Sequence, residues 1–235
     1  MRKADKEKMR ANLLRAISHD LRTPLTSIIG TSATYLESSF LSEEERTVLL
    51  QHIYDDSTWL LHMVENLLSV TRIQDTSTKV KKTEELIEEV ISEAISRFKK
   101  RQPDAKLEVK IPDELLIVPM DALLIEQVII NLLENAWVHS HTSSAIALAI
   151  THDQETVTFH IRDYGVGIPP ERIPTIFDGA TASYSKSIDG HKGMGIGLSI
   201  CKTIIDAHKG TINAKNCQPG AEFIFTLPKE DYHEC

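Results

Sequence analysis

The chain has 235 residues, 26 of them Lys or Arg against 34 Asp or Glu, for a formal charge of −8 at pH 7. Forty-one per cent hydrophobic and 26 per cent charged is ordinary for a globular protein with a sizeable core, and the length suits one or two domains. The split is 9 basic to 11 acidic residues up to Asp75 and 17 to 23 beyond it, so bulk electrostatics make neither part a nucleic-acid binder or a ligand of anionic membranes.

The chain opens as MRKADKEKMRANLL, a charged helical pattern that begins in mid-element, as in a part taken from a longer protein. From Lys3 to Ser38 the pattern is helical, with Leu14, Ile17, Leu21, Leu25 and Ile28 at spacings of three and four. At about 100° per residue, His19 falls roughly 160° from that apolar stripe and points outward. SSFLSEEE then supplies a turn, with Ser42 as N-cap and acids in the first turn of a second helix. That helix runs to Ile73 with Leu49, Ile53, Leu60, Met63, Val64 and Leu67 on one side. One hairpin buries two such stripes poorly, whereas two hairpins pair into a four-helix bundle, so a homodimer through residues 1–77 is expected. The polar segment QDTSTKVKK closes this domain, and a second is expected over 78–235.

There a helix is predicted from Glu84 to Lys99, then strands KLEVKI and LLIVP, and a helix from Asp121 to His139. Strands SAIALAIT and TVTFHIRD follow, then a Gly-rich loop, a helix from Met194 to His208, and strands GTINAKN and AEFIFTLP. Helices and antiparallel strands without a βαβ rhythm read as an α+β two-layer sandwich. No apolar run reaches the roughly 18 residues a membrane span needs, and the N-terminus has no apolar signal core.

Four stretches stand out. In AISHDLRTPLTSIIG, residues 16–30, Asp20 can accept a proton from the His19 imidazole and leave the other nitrogen a nucleophile. Thr23 lies one turn on, and Pro24 deletes a helix bond to the Asp20 carbonyl, bending the helix one turn past the histidine. Taken alone, an exposed histidine is a solvated surface residue. In NLLENAWVH, Asn131 and Asn135 share a face; such amides either meet solvent or offer oxygen to Mg²⁺, which takes few protein ligands beside water and phosphate. In DYGVGIP, Gly165 and Gly167 allow tight turning and Asp163 can accept from a ligand amine, although many turns look alike. In GHKGMGIGL, Gly193, Gly195 and Gly197 let backbone amides converge on an anion at a helix start beside Lys192. This run neither follows a strand directly nor opens a βαβ unit, which excludes a dinucleotide fold.

Other candidates have plainer readings. His139-Ser140-His141 is a helix end without a wider ligand cluster. Cys201 sits at helical spacing with Leu198 and Ile205 and reads as core, as do Trp59 and Trp137 by default. Three scattered cysteines, Cys201, Cys217 and Cys235, make neither a disulfide framework nor a CxxC pair and fit a reducing cytosol.

Taken in order over nearly the whole chain, these stretches resemble the bacterial two-component sensor histidine kinases. SHDLRTPLTS resembles their H-box, NLLENA the N-box, DYGVGIP the G1 box, IPTIF the F-box and GMGIGLS the G2 box. The wording SHDLRTPLTSIIG is most similar to that of KdpD-like kinases, which control potassium uptake. The resemblance implies a dimerising phosphotransfer hairpin, then the ATP-binding sandwich shared with gyrase B. It implies His19 as phospho-acceptor, Asp20 as its general base, and Thr23 as the residue orienting water when a response regulator is dephosphorylated. It implies Asn135 as the Mg²⁺ ligand with Asn131 and His139 nearby, Asp163 at the adenine amine, and Gly165 and Gly167 shaping that pocket. Lys192, Gly193, Gly195, Gly197 and Leu198 would line the phosphates of ATP. The implied partners are a second copy and a response regulator receiver domain, with no nucleic acid and no membrane contact within this part. The implied location is the cytoplasmic side of a membrane-anchored sensor. Two positions depart from the family: Val138 and His139 stand where Lys-Tyr is common, and the lid reads DGATASYSKSIDGHK instead of a Glu-Arg-Phe run. They give weight to a rival reading, a dimeric scaffold of the same fold with weak catalysis. A clamp ATPase of the gyrase type is a second rival, one that would need neither the H-box nor Thr23.

Overall fold

The computed structural model describes residues 21–38, 40–74, 80–140, 144–178 and 195–230. The chain divides into two units, Met1–Leu68 and Ser69–Cys235. In the first, helix α1 covers residues 21–37, runs on through Pro24, and is followed by α2, Glu43–Gln74, whose residues 69–74 pass the division. The part of the first predicted helix before residue 21 lies outside the described residues. Ser42 starts α2 by a reciprocal pair of bonds. Its hydroxyl oxygen accepts from the Glu45 N–H at 3.2 Å, and its own N–H donates to the Glu45 carboxylate at 2.9 Å. This is the capping box that Ser-x-x-Glu predicts.

The second unit begins with a difference from expectation. Thr83–Leu86 is a strand, β1, and helix α3 covers Ile87–Arg101. Helix propensity in TEEL is overridden by antiparallel pairing with β3, Ile117–Met120, in the register Thr83↔Met120 to Leu86↔Ile117. Helix α3 has acids in its first turn and Lys99, Lys100 and Arg101 in its last, matching the macrodipole. It buries Ile87, Val90, Ile91, Ala94 and Phe98 at helical spacing.

The main sheet has the order β2-β4-β5-β7-β6, with β2 Leu107–Lys110, β4 Ile146–His152, β5 Thr156–Arg162, β6 Thr211–Asn216 and β7 Ala221–Pro228. Its β4-β5-β7-β6 run is antiparallel, but β2 pairs parallel with β4, Leu107 opposite Ile146. The expected absence of a βαβ rhythm therefore fails at one place: β3 and helix α4, Ala122–Ser140, form a crossover between these two strands. Helix α4 packs against both α3 and α5, Gly195–Ala207, and α4 and α5 cover one face of the sheet. Alternation along β5 and β7 turns Val157, Phe159, Ile161, Phe223, Phe225 and Leu227 toward them. Phe159 and Phe225 stack at 4.3 Å. The sandwich is two-layered, and its central helix is apolar nearly all round because it is covered on most sides.

Helix α4 is pinned at its start and braced along its length. At its start Asp121 Oδ1 accepts from the Leu124 N–H at 3.2 Å, and the Asp121 N–H donates to His208 Nε2 at 3.0 Å. The other ring nitrogen of the buried His208 bonds to the Ile204 carbonyl at 2.8 Å, so the end of α5 clips the start of α4 in one tautomer. Arg101 of α3 braces Glu134 at 3.0 Å. Among the described residues no helix is long and apolar enough to cross a membrane.

Candidate nucleotide and phosphotransfer sites

Helix α4 organises the candidate site of the second unit. Leu132, Leu133 and Ala136 face the core, fully buried. Asn131 is buried, takes a bond from Gln127 Nε2 at 3.1 Å, and lies close enough to the Cys201 thiol of α5 to work against the rise of that thiol's pKa. It therefore serves the α4–α5 contact. Asn135, one turn on, is half-exposed and its amide makes no hydrogen bond among the described residues, so it is available to a ligand. His139 is exposed at the helix end, and Val138 is half-exposed beside it. Cys201 lies 3.9 Å from the Val128 carbonyl, and burial pushes its thiol up to about 12. It belongs to the core, as its spacing predicts.

The loop after β5 meets the other end of α4. A Cβ on Gly165 would fall 2.4 Å from both Cα and O of Ser140, so only glycine lets the loop lie against the helix end. Asp163 is 5 % exposed. Its Oδ1 accepts from the Gly165 N–H at 2.9 Å and from the Ala221 N–H at 3.3 Å. Oδ2 has no hydrogen-bond partner among the described residues. Backbone and one oxygen thus hold the carboxylate, and the second oxygen remains for an incoming donor.

The loop is backed by the turn between β6 and β7, which carried no signal as a site. Gly220, at φ +94°, is pressed so close that a Cβ would lie 2.1 Å from the Asp163 carbonyl. Asn216 accepts from the Ile168 N–H and donates to the Ile168 carbonyl, both at 2.7 Å. Cys217–Gly220 reads from Pro219-Gly220 as a turn, but nothing in the sequence ties Asn216 to a loop 48 residues earlier. Phe177, the last residue of IPTIF, sits edge-on to Phe223 at 6.3 Å and so roots the segment that enters the lid.

Helix α5 opens at Gly195; nothing lies within 4 Å of where a Cβ on Gly197 would sit, and Leu198 is buried. The structure therefore places Asn131, Asn135 and His139 on α4, with α5 packed beside that helix, and sets Gly165 against its end. Gly167 lies instead against Asn216 and Gly220 of the β6–β7 turn. His19, Asp20, His141, Lys192 and Gly193 lie outside the described residues. Thr23 is exposed on α1 in the other unit. Among the described residues there is no group of three or more His, Cys, Asp or Glu placed to hold a metal ion.

A helical hairpin followed by an α/β sandwich is the architecture of histidine kinase cores. Residues 9–76 match the His Kinase A (phospho-acceptor) domain, and residues 120–231 match the histidine kinase-, DNA gyrase B- and HSP90-like ATPases. The chain is 46% identical over 228 residues to the sensor protein KdpD of Clostridium acetobutylicum, covering 96% of this chain and 25% of that protein. Among solved structures it resembles the Acinetobacter baumannii histidine kinase AdeS, at 25% identity and TM-score 0.70, over 91% of this chain and 98% of that one. It shares its fold with the histidine kinase ThkA in complex with the response regulator protein TrrA, at 24% identity and TM-score 0.73, over 97% of this chain and 64% of that one. The chain belongs to the sensor histidine kinase family. It spans about a quarter of the length of the curated KdpD relatives it matches.

Proposed function

We propose that this chain is the catalytic core of a sensor kinase that phosphorylates itself on His19 with ATP and passes the phosphoryl group to an aspartate of a response regulator. The observation that carries the reading is Asp163: it is buried, tied to its own loop through Oδ1, and left with Oδ2 free beside the glycine-lined end of α4. An adenine amine donates to such an oxygen. Asn135, half-exposed with an uncommitted amide, fits an oxygen ligand of Mg²⁺, with His139 close by on the helix. The metal, when bound, spreads the negative charge on the phosphates. Lys192, Gly193, Gly195, Gly197 and Leu198 serve the phosphates from the lid and the start of α5.

In the transfer, an imidazole nitrogen of His19 attacks the γ-phosphorus while the bond to the β-phosphate oxygen breaks and ADP leaves. Asp20 takes up the imidazole proton on the opposite nitrogen and orients the ring. Catalysis is then chiefly positioning and charge stabilisation. Thr23, exposed one turn beyond His19, holds water for the reverse duty, removal of phosphate from the regulator. The relatives support the partners: ThkA assembles with a response regulator, and the likeness to KdpD supports a place in potassium-responsive signalling. Residues 1–77 form the dimerising domain and 78–235 the ATP-binding domain. The chain is the cytoplasmic part of a membrane-anchored protein.

Incubation with γ-labelled ATP and Mg²⁺ tests the reading. The parent should acquire acid-labile, base-stable label, and His19→Gln none, with nucleotide affinity unchanged. Label retained on His19→Gln would move the acceptor elsewhere. Bound nucleotide with no label on the parent would favour the scaffold, which Val138 and the altered lid support.

A further inference from the structure

We propose that Asn216 is a positioning residue for base recognition: its amide fixes the 163–168 loop so that Asp163 Oδ2 meets an adenine amine. The proposal rests on the adenine-binding reading of Asp163. Strand β6, which ends at Asn216, does not neighbour β5; β7 lies between them. The loop leaving β5 therefore has no strand of its own to pair with. Asn216 supplies the missing partner. Its Oδ1 takes the Ile168 N–H and its Nδ2 gives to the Ile168 carbonyl, each at 2.7 Å, the two-way exchange of a hydrogen-bonded pair in an antiparallel ladder.

The clamp closes the loop at its far end, while Asp163 closes the near end by bonding Gly165 and Ala221. Between them Gly167 takes φ +79°, and a Cβ there would stand 2.9 Å from Asn216 Oδ1. The side chain thus lies directly under the residue that reverses the chain. Ala221 also accepts the Asp163 N–H at 3.0 Å and pairs with Asn216 across β6 and β7, so one turn carries both ends of the loop. Neither Asn216 nor any atom of it needs to touch the nucleotide. Its two bonds are exposed, so water can replace them when the amide is removed; global stability then changes little, and the loop samples other conformations.

Calorimetric binding of Mg·ADP and Mg·GDP to the 235-residue chain tests this, with Asn216→Ala, Asn216→Asp and Asp163→Asn beside the parent. Asn216→Ala should weaken ADP by about five- to tenfold and narrow its preference over GDP by a similar factor, with a near-parent thermal midpoint. Asn216→Asp keeps the acceptor for the Ile168 N–H and loses the donor, so it should fall between the two. Parent-like ADP affinity and preference in Asn216→Ala, with Asp163→Asn impaired, would overturn the role of Asn216 and leave the adenine reading standing. Equal loss of ADP and GDP with a lowered midpoint would also overturn it, because the residue would then be only structural. Undiminished ADP binding in Asp163→Asn would remove the adenine reading and the proposal together.

Discussion

Glu222 shows how the open face of the sheet is held and how it responds to acid. Its neighbours in register are Arg162 on β5 and Lys215 on β6. Lys215 Nζ lies 2.8 Å from one carboxylate oxygen and His160 Nδ1 3.2 Å from the other, while Thr151 Oγ1 lies 3.1 Å from the far ring nitrogen of His160. Burial works to raise the Glu222 carboxyl, but the Lys215 ammonium and then the His160 imidazole outweigh it, and the group ionises below the ordinary 4.5. A carboxyl with a depressed folded pKa stabilises the fold fully above its unfolded value, and that contribution disappears as pH falls through the folded one. Stability should therefore decline below pH 4.5 in the parent, and the decline should be shallower in Glu222→Gln, read as urea midpoints at pH 7, 4.5 and 3.5. Parallel declines in the two proteins would mean that the pair contributes nothing, the usual fate of an exposed ion pair. Glu126 runs the other way. Buried on α4, it has its carboxyl raised by desolvation, against the pull of the Arg97 guanidinium 3.3 Å away.

Elements with a long, strong period were legible: α4, β4, β5, β7, α2 and the described part of α1 fall where hydrophobic spacing puts them. Short elements made by distant partners were not. TEEL has two acids and reads as the first turn of a helix; it becomes β1 because residues 117–120 are brought alongside it. Parallel pairing of β2 with β4 was hidden for the same reason, since a four-residue strand carries no mark of its partner's direction. At the candidate site, DYGVGIP singles out Asp163, Gly165 and Gly167 in the sequence, but the burial of Asn131 beside α5 has no such mark, because a helix face has no label for the neighbour it meets. Asn216 was invisible for want of any local pattern. Capping is the opposite case, wholly local. Ser42 and Glu45 satisfy one another's backbone N–H groups, so Ser42→Ala should destabilise the chain by about 1 kcal/mol, read as a lower urea midpoint of helix circular dichroism. Ser57→Ala is the control. That hydroxyl only doubles up on the Ile53 carbonyl at 2.6 Å within the helix, and its loss should change stability by less than about 0.5 kcal/mol.

At the scale of the whole molecule, the two units differ in how they use their apolar residues. In the second, four phenylalanines and a run of Ile, Leu and Val are below 2 % exposed. In the first, Pro24 is the only buried side chain among those described, while Leu25 is 50 % and Val64 43 % exposed. A hairpin with so little of its own interior cannot offset the conformational entropy of two helices, at roughly 1–2 kcal/mol per residue for the backbone alone. Burial between copies can, at about 25 cal/mol for each Å² of apolar surface covered. Sedimentation should therefore find a dimer of twice 26.4 kDa, and the helical unit should melt at temperatures that rise with protein concentration. Leu25 and Val64 belong to the stripes of α1 and α2, so the double variant Leu25→Asp, Val64→Asp should weaken the dimer by more than about a hundredfold, since each carboxylate would be buried unpaired. Mg·ADP affinity of the second unit should survive, because its core is complete within one chain. A dimer that persists in the double variant would place the contact on other faces. A parent that sediments as a monomer, with concentration-independent melting, would mean that the exposed stripes are covered by something other than a second copy.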